Sequence, residues 1–147
     1  MTFWRRLFGG ARSESLHPQR LDYLNEALAL ERQGDFEAAL TSYRLALRDN
    51  PNDPRILQNM AIAFTKTGQQ EEAIRFYKRA LQLDPTLVGA HYGVAFLLIK
   101  KGEPASAVSH LRAFLAHPPL GTDADRWIKH AETALRDIEA GAPSESS

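Results

Sequence analysis

The chain has 147 residues, 44% of them hydrophobic, which is enough for a continuous core and about one domain. Eighteen Lys and Arg balance eighteen Asp and Glu, so no net field draws the protein to nucleic acid, and any charge-driven partner must use a local patch. With no cysteine, disulfides, a thiolate nucleophile and a Cys-ligated zinc site are excluded.

Residues 1–10, MTFWRRLFGG, interrupt their apolar run with two arginines. They fall far short of a signal-peptide core or a spanning helix, so a cytoplasmic location is expected. On a helical wheel Phe3, Trp4, Leu7 and Phe8 share one arc and Arg5 and Arg6 the opposite one, with Gly9-Gly10 as a stop. Burying four such side chains yields roughly 6–12 kcal/mol, whereas ordering about eight residues costs roughly 8–16 kcal/mol of backbone entropy. The segment therefore needs a host to become ordered: an anionic membrane surface, a partner protein, or a groove in this chain or a second copy. Residues 11–19 have linker character.

From residue 20 the chain repeats. Gly34, Gly68 and Gly102 are 34 residues apart, as are Pro51, Pro85 and Pro119. Ala39, Ala73 and Ala107 keep the step, and so do Ala27, Ala61 and Ala95; Tyr43, Tyr77 and Leu111 hold a large apolar position in the same phase. Each period predicts a helix A stopped at glycine, a short turn, and a helix B stopped before proline. In the middle period Leu57, Met60 and Phe64 recur at helical spacing on helix A, and Ile74, Tyr77 and Leu81 on helix B, as the core of a hairpin.

This pattern resembles the tetratricopeptide repeat family. Its sequence of large, large-small, large, Gly, Ala, aromatic, Ala and Pro is met by Leu57, Met60-Ala61, Phe64, Gly68, Ala73, Tyr77, Ala80 and Pro85. The first repeat follows with Tyr23, Ala27, Leu30, Gly34, Ala39, Tyr43, Ala46 and Pro51, but carries Glu26 at a usual core position, which is expected to be partly exposed. The third places His91, Leu111 and Phe114 at family positions that they do not match, which predicts altered helix packing. The resemblance implies an all-α, right-handed superhelical solenoid of helix-turn-helix repeats with about seven helices. Repeats at 20–53, 54–87 and 88–121 would be closed by a capping helix at 122–139 and a disordered tail at 140–147.

The resemblance further implies that the A helices line a concave surface that binds a peptide or an amphipathic helix. Mapped here, that surface carries Leu21, Leu24, Asn25 and Leu28, then Arg55, Gln58, Asn59, Ile62, Thr65 and Lys66, and finally Tyr92, Phe96, Ile99 and Lys100. Some family members hold an acidic chaperone C-terminus with a set of Lys, Asn and Arg side chains. Here Asn59 matches, but Leu24, Leu28, Gly89 and Gly93 stand where the other members of that clamp belong, which disfavours such a ligand. Gly89 and Gly93 inside one helix point to close approach of a ligand backbone or to local looseness.

In the capping segment, Thr122 with Asp125 reads as a capping box opening a helix to about Glu139. Trp127, Ile128, Ala131, Ala134, Leu135 and Ile138 form its inner stripe, with Trp127 as a core anchor. His91, His110, His117 and His130 are the clustered metal or base candidates, but no carboxylate joins them at ligand spacing. No phosphate loop or catalytic motif appears, and the basic residues of the B helices alternate with acids. We therefore expect a protein-binding scaffold or adaptor with no catalytic residue, metal or cofactor, and not an enzyme. Two alternatives are a self-assembling homo-oligomeric module and an assembly factor held peripherally at a membrane through Phe3, Trp4, Leu7 and Phe8.

Overall fold

In the computed structural model, residues 22–141 are described; the amphipathic segment 1–10, the linker 11–19, Leu21 and the tail from 142 lie outside them. Seven helices follow in chain order among the described residues. They are α1 (Tyr23–Arg32), α2 (Phe36–Asp49), α3 (Pro54–Lys66), α4 (Gln70–Leu83), α5 (Val88–Lys101), α6 (Pro104–Ala116) and α7 (Ala124–Glu139). Each packs on its sequence neighbours, so that three antiparallel hairpins, α1/α2, α3/α4 and α5/α6, stack in a row and α7 closes the end. The fold is an all-α helical-repeat solenoid.

The three hairpins share one turn chemistry. Gly34, Gly68 and Gly102 sit at φ of +81°, +81° and +94°, where any side chain would be strained. The amide after each reaches back five residues: Asp35 N–H to the Leu30 carbonyl (2.9 Å), Gln69 to Phe64 (2.8 Å) and Glu103 to Leu98 (2.9 Å). Each glycine N–H in turn bonds the carbonyl three residues back, so the last carbonyls of α1, α3 and α5 are satisfied within the turn. Asp35 Oδ1 then caps α2 by accepting from Ala38 N–H, and Asp53 Oδ1 caps α3 by accepting from Arg55 N–H at 3.0 Å. Pro54 and Pro104 occupy the first turns of α3 and α6, where their missing N–H leaves no bond unmade.

The six phased alanines, 27, 39, 61, 73, 95 and 107, are all fully buried. Their small side chains let the helices approach closely, while Tyr43, Leu57, Met60, Leu98 and Leu111 fill the space between. Glu26 is exposed on α1, as expected. In the third hairpin Phe114, although large for an alanine position, is buried against Tyr92 with ring centroids 5.1 Å apart, and the helix order is kept.

Two expectations about α7 are overturned. The helix begins at Ala124 with Asp123 before it and no side-chain cap, so Thr122 and Asp125 form no capping box. Gly121 (φ +126°) opens a backbone-closed turn in which Ala124 N–H bonds the Gly121 carbonyl at 3.2 Å, and this absorbs Thr122. The buried seam of α7 then runs through Ala124 and Ala131, flanked by Ile128, Ala134, Leu135 and Ile138, which pack against the core. Trp127 falls one position off that seam and is 39% exposed, so it is not a core anchor. The helix ends at Glu139 as expected, and Ala140 and Gly141 close it by backbone bonds to Arg136 and Ile138 rather than belonging to a tail.

Candidate functional site

A cavity of about 540 Å³ opens at the junction of the second and third hairpins with α7. This volume falls in the range of sites that hold apolar ligands. From α3 it takes Gln58, Ile62, Thr65 and Lys66, and from α5 Val88, Gly89, Tyr92 and Gly93. Tyr77 of α4 and Phe114 of α6 contribute from behind; Pro119 and Trp127 form the wall at the capping end. The spacing of Gln58, Ile62 and Thr65, and of Gly89 and Gly93, puts each set on one helix face. Lys66 is the one charge in the lining.

An aromatic cluster builds the capping-end wall. Tyr92 lies 4.7 Å from Phe96, 5.1 Å from Phe114 and 5.1 Å, edge-on, from Trp127, measured between ring centroids. Its hydroxyl is 2.6 Å from His130 Nδ1, which ties α5 to α7. Burial pushes the Tyr92 phenol above its ordinary value, and the nearby Arg126 cation partly offsets the shift. The Arg126 guanidinium lies over the Trp127 ring at 5.4 Å. Tyr77 is pushed up to about 12, chiefly by burial. The tyrosines therefore serve as neutral hydrogen-bonding groups throughout the physiological range.

Gly93 is explained by this wall. A Cβ there would lie 2.5 Å from Cζ and 2.6 Å from the hydroxyl oxygen of Tyr77, so the ring packs directly on the α5 backbone. Neither ligand approach nor looseness is needed to account for the residue. One period earlier the same phase holds Asn59, which does not line the cavity. Gly89 is less constrained, since its Cβ would meet only Gln58 Nε2, at 3.1 Å.

Of the residues expected on the concave surface, the cavity brings together Gln58, Ile62, Thr65, Lys66 and Tyr92. Phe96 and Ile99 continue along α5 but face α7, where they line a smaller cavity of about 250 Å³ with His130, Thr133 and Ile138. The Phe96 ring is stacked on His130 at 4.1 Å and 9°. Leu24 and Leu28 are half-buried against the core. Asn25 donates to Asp22 Oδ1 at 2.6 Å and lines a shallow polar depression with Glu26 and Ala29. Arg55 is exposed and forked onto the Asp53 carboxylate at 3.2 and 3.3 Å. Asn59 is half-buried and Lys100 exposed, and neither touches the cavity. Tyr77, Val88, Phe114, Pro119 and Trp127 line it without having been expected to. Phe114, Pro119 and Trp127 belong to the third period and its cap, the least regular part of the sequence, whereas Tyr77 and Val88 carry no separate signal.

Of the four candidate histidines, two form a pair and two stand apart. His91 Nε2 is 2.8 Å from the Pro85 carbonyl oxygen, which can only accept, so that nitrogen carries hydrogen. His91 Nδ1 is 3.0 Å from His110 Nδ1, so the neutral pair has His110 as donor. His130 is engaged by Tyr92 and Phe96, and His117 is an exposed residue after α6. Among the described residues no three His, Asp or Glu side chains come together as metal ligands. The cavity lining is mostly apolar side chains, with Gln58, Thr65 and Lys66 as its polar members beside the tyrosines.

Comparisons with known proteins give the same architecture. Residues 24–87 match a family model described as Tetratricopeptide repeat. Among the curated proteins none matches the chain. The fold is similar to the Yersinia enterocolitica type III secretion chaperone SycD in complex with a peptide of the translocator YopD. That likeness has a TM-score of 0.72 and 19% identity, covering 81% of this chain and 91% of that one. It is also similar to the TPR2B domain of yeast Sti1 in its pHsp70 complex (TM-score 0.68, 23% identity, 82% and 95% covered). The Sgt2 TPR domain of Aspergillus fumigatus gives a TM-score of 0.69 at 22% identity, with 88% and 87% covered.

Proposed function

We propose that this chain, whose residues 24–87 match the tetratricopeptide-repeat model and whose fold is similar to tetratricopeptide-repeat domains, is a protein-interaction adaptor whose cavity binds an apolar peptide or amphipathic helix of a partner. The observation that carries this reading is the cavity itself: about 540 Å³, walled by Ile62, Tyr77, Val88, Tyr92, Phe114 and Trp127, with Lys66 as its one charge. Such a surface gains affinity from burying apolar side chains, while Gln58, Thr65 and Lys66 fix their register. Two of the three exposed large apolar residues among those described support the same place. Trp127 forms its wall, and Leu120, 99% exposed, follows the lining residue Pro119.

The complex of SycD with a peptide of YopD supports a peptide as ligand class, and the pHsp70 complex of the Sti1 domain supports a protein partner. An acidic terminal tail fits this cavity poorly: Lys66 is the single cation in the lining, and Gly89 and Gly93 supply none. No helix among the described residues is long and apolar enough to cross a membrane. The test is affinity capture with the intact protein and with Ile62→Glu, once circular dichroism shows that both are folded, followed by calorimetry with a synthetic peptide from the captured protein. Loss of binding in Ile62→Glu alone supports the cavity as the site. Equal binding by both proteins refutes it.

A further inference from the structure

We propose that, when no partner is bound, the cavity is occupied by residues 3–8 of the same chain, so that the N-terminal segment is a tethered competitor for the adaptor site. This inference rests on the adaptor reading of that cavity. It starts from two incomplete surfaces. Phe3, Trp4, Leu7 and Phe8 place four large apolar side chains on one arc, and so short a helix does not order without a host. The cavity, with the exposed Trp127 and Leu120 beside it, has apolar walls that no described residue covers. Its volume suits aromatic side chains entering between Ile62, Val88 and Trp127.

The tether permits the contact. Short turns make the hairpins antiparallel, so α1, α3 and α5 run in the same direction with their first turns at one end of the molecule. The described chain starts at Asp22 at that end, and Val88, Gly89 and Tyr92 belong to the first half of α5. Residues 11–21 extend to about 36–40 Å. Four packing steps of about 8–10 Å separate α1 from α5 even if the helices lay in a flat row. Because the link reaches the cavity, docking there is intramolecular and does not depend on protein concentration, unlike docking in a second copy's cavity. Arg5 and Arg6, on the opposite arc, then face water and stay clear of Lys66.

The absence of cysteine makes the test direct. In the full chain, Phe8→Cys is combined with Gln58→Cys in the cavity wall, or with Arg44→Cys on the exposed face of α2 as control. Circular dichroism establishes that each variant folds. Disulfide formation is followed on non-reducing gels, and a second cavity pair, Trp4→Cys with Thr65→Cys, guards against an unlucky geometry. The expected result is an intramolecular disulfide forming at least tenfold faster in the cavity pairs than in the control. Equal rates overturn the proposal, since the tether alone then explains the encounter. Disulfide-linked dimers overturn it in favour of a second copy's groove. Equal rates together with sedimentation of the unmodified chain on phosphatidylglycerol vesicles overturn it in favour of a membrane surface. A protein that fails this test but loses partner capture on Ile62→Glu keeps the adaptor reading and loses only the tethered competitor.

Discussion

Gly93 and Gly89 offer a test in which helix propensity cancels and packing is left. Both lie in the first two turns of α5, and replacing either by alanine removes about 1 kcal/mol of helix penalty. At Gly89 the new methyl meets only the end of the Gln58 side chain at 3.1 Å, which can swing toward solvent, so Gly89→Ala raises stability by about 0.5–1 kcal/mol. At Gly93 the methyl would sit 2.5 Å from Tyr77 Cζ, and Tyr77 is only 5% exposed. Overpacking of this kind costs about 1–3 kcal/mol, which offsets the propensity gain and leaves a net loss of up to about 2 kcal/mol. The difference between the two variants isolates the Tyr77 contact at about 1–3 kcal/mol. Urea unfolding followed by circular dichroism reads it as a difference in midpoint at constant slope. Midpoints of the two variants that agree within about 0.5 kcal/mol would refute the packing account of Gly93.

Other expectations follow from the same geometry. Trp127→Ala should weaken partner binding at least tenfold while destabilising the fold less than Leu111→Ala, for which burial predicts a loss of about 2–5 kcal/mol; calorimetry and thermal melts separate the two effects. Asp53→Ala removes the cap that accepts the Arg55 amide and should cost about 0.5–2 kcal/mol by chemical denaturation. Burial, then the neighbouring His91 and Lys78, hold His110 below the ordinary imidazole value. The unfolded chain thus takes up that proton first, so the stability that the pair contributes is full above about pH 6.5 and declines as pH falls below it. Thermal midpoints measured between pH 7.5 and 5 should drop more in the intact protein than in His110→Gln.

The parts of the fold that were legible in the sequence are those set by local chemistry. A glycine that must adopt positive φ, a proline that cannot continue a helix and an alanine at a helix crossing each act within a few residues, so a 34-residue step exposes them directly. The site was legible where α3 presents it, at Gln58, Ile62, Thr65 and Lys66, and at one position of α5, Tyr92. On α5 the concave stripe divides, because α7 packs over Phe96 and Ile99 and leaves Tyr92 facing the cavity, and the angle of that packing is a tertiary property. Trp127 was misjudged for a related reason. It lies at the edge of a stripe whose other members, Ile128, Ala131, Ala134, Leu135 and Ile138, do pack inward, and whether an edge residue is covered depends on how α7 sits against α5. Gly93 depends on a tyrosine 16 positions earlier, which no periodicity encodes. Phe3, Trp4, Leu7 and Phe8 lie outside the described residues, and their role rests on the disulfide test.

The central claim is that a partner binds in the cavity between α3, α5 and α7. Its most direct test is a backbone-amide NMR titration of the intact protein with the synthetic peptide from its captured partner. The account predicts shifts concentrated at Gln58, Ile62, Gly89, Gly93 and Trp127, with Arg44 and Arg75 on the B helices unmoved. Shifts centred on the B helices, with Gly89 and Gly93 unchanged, would contradict it.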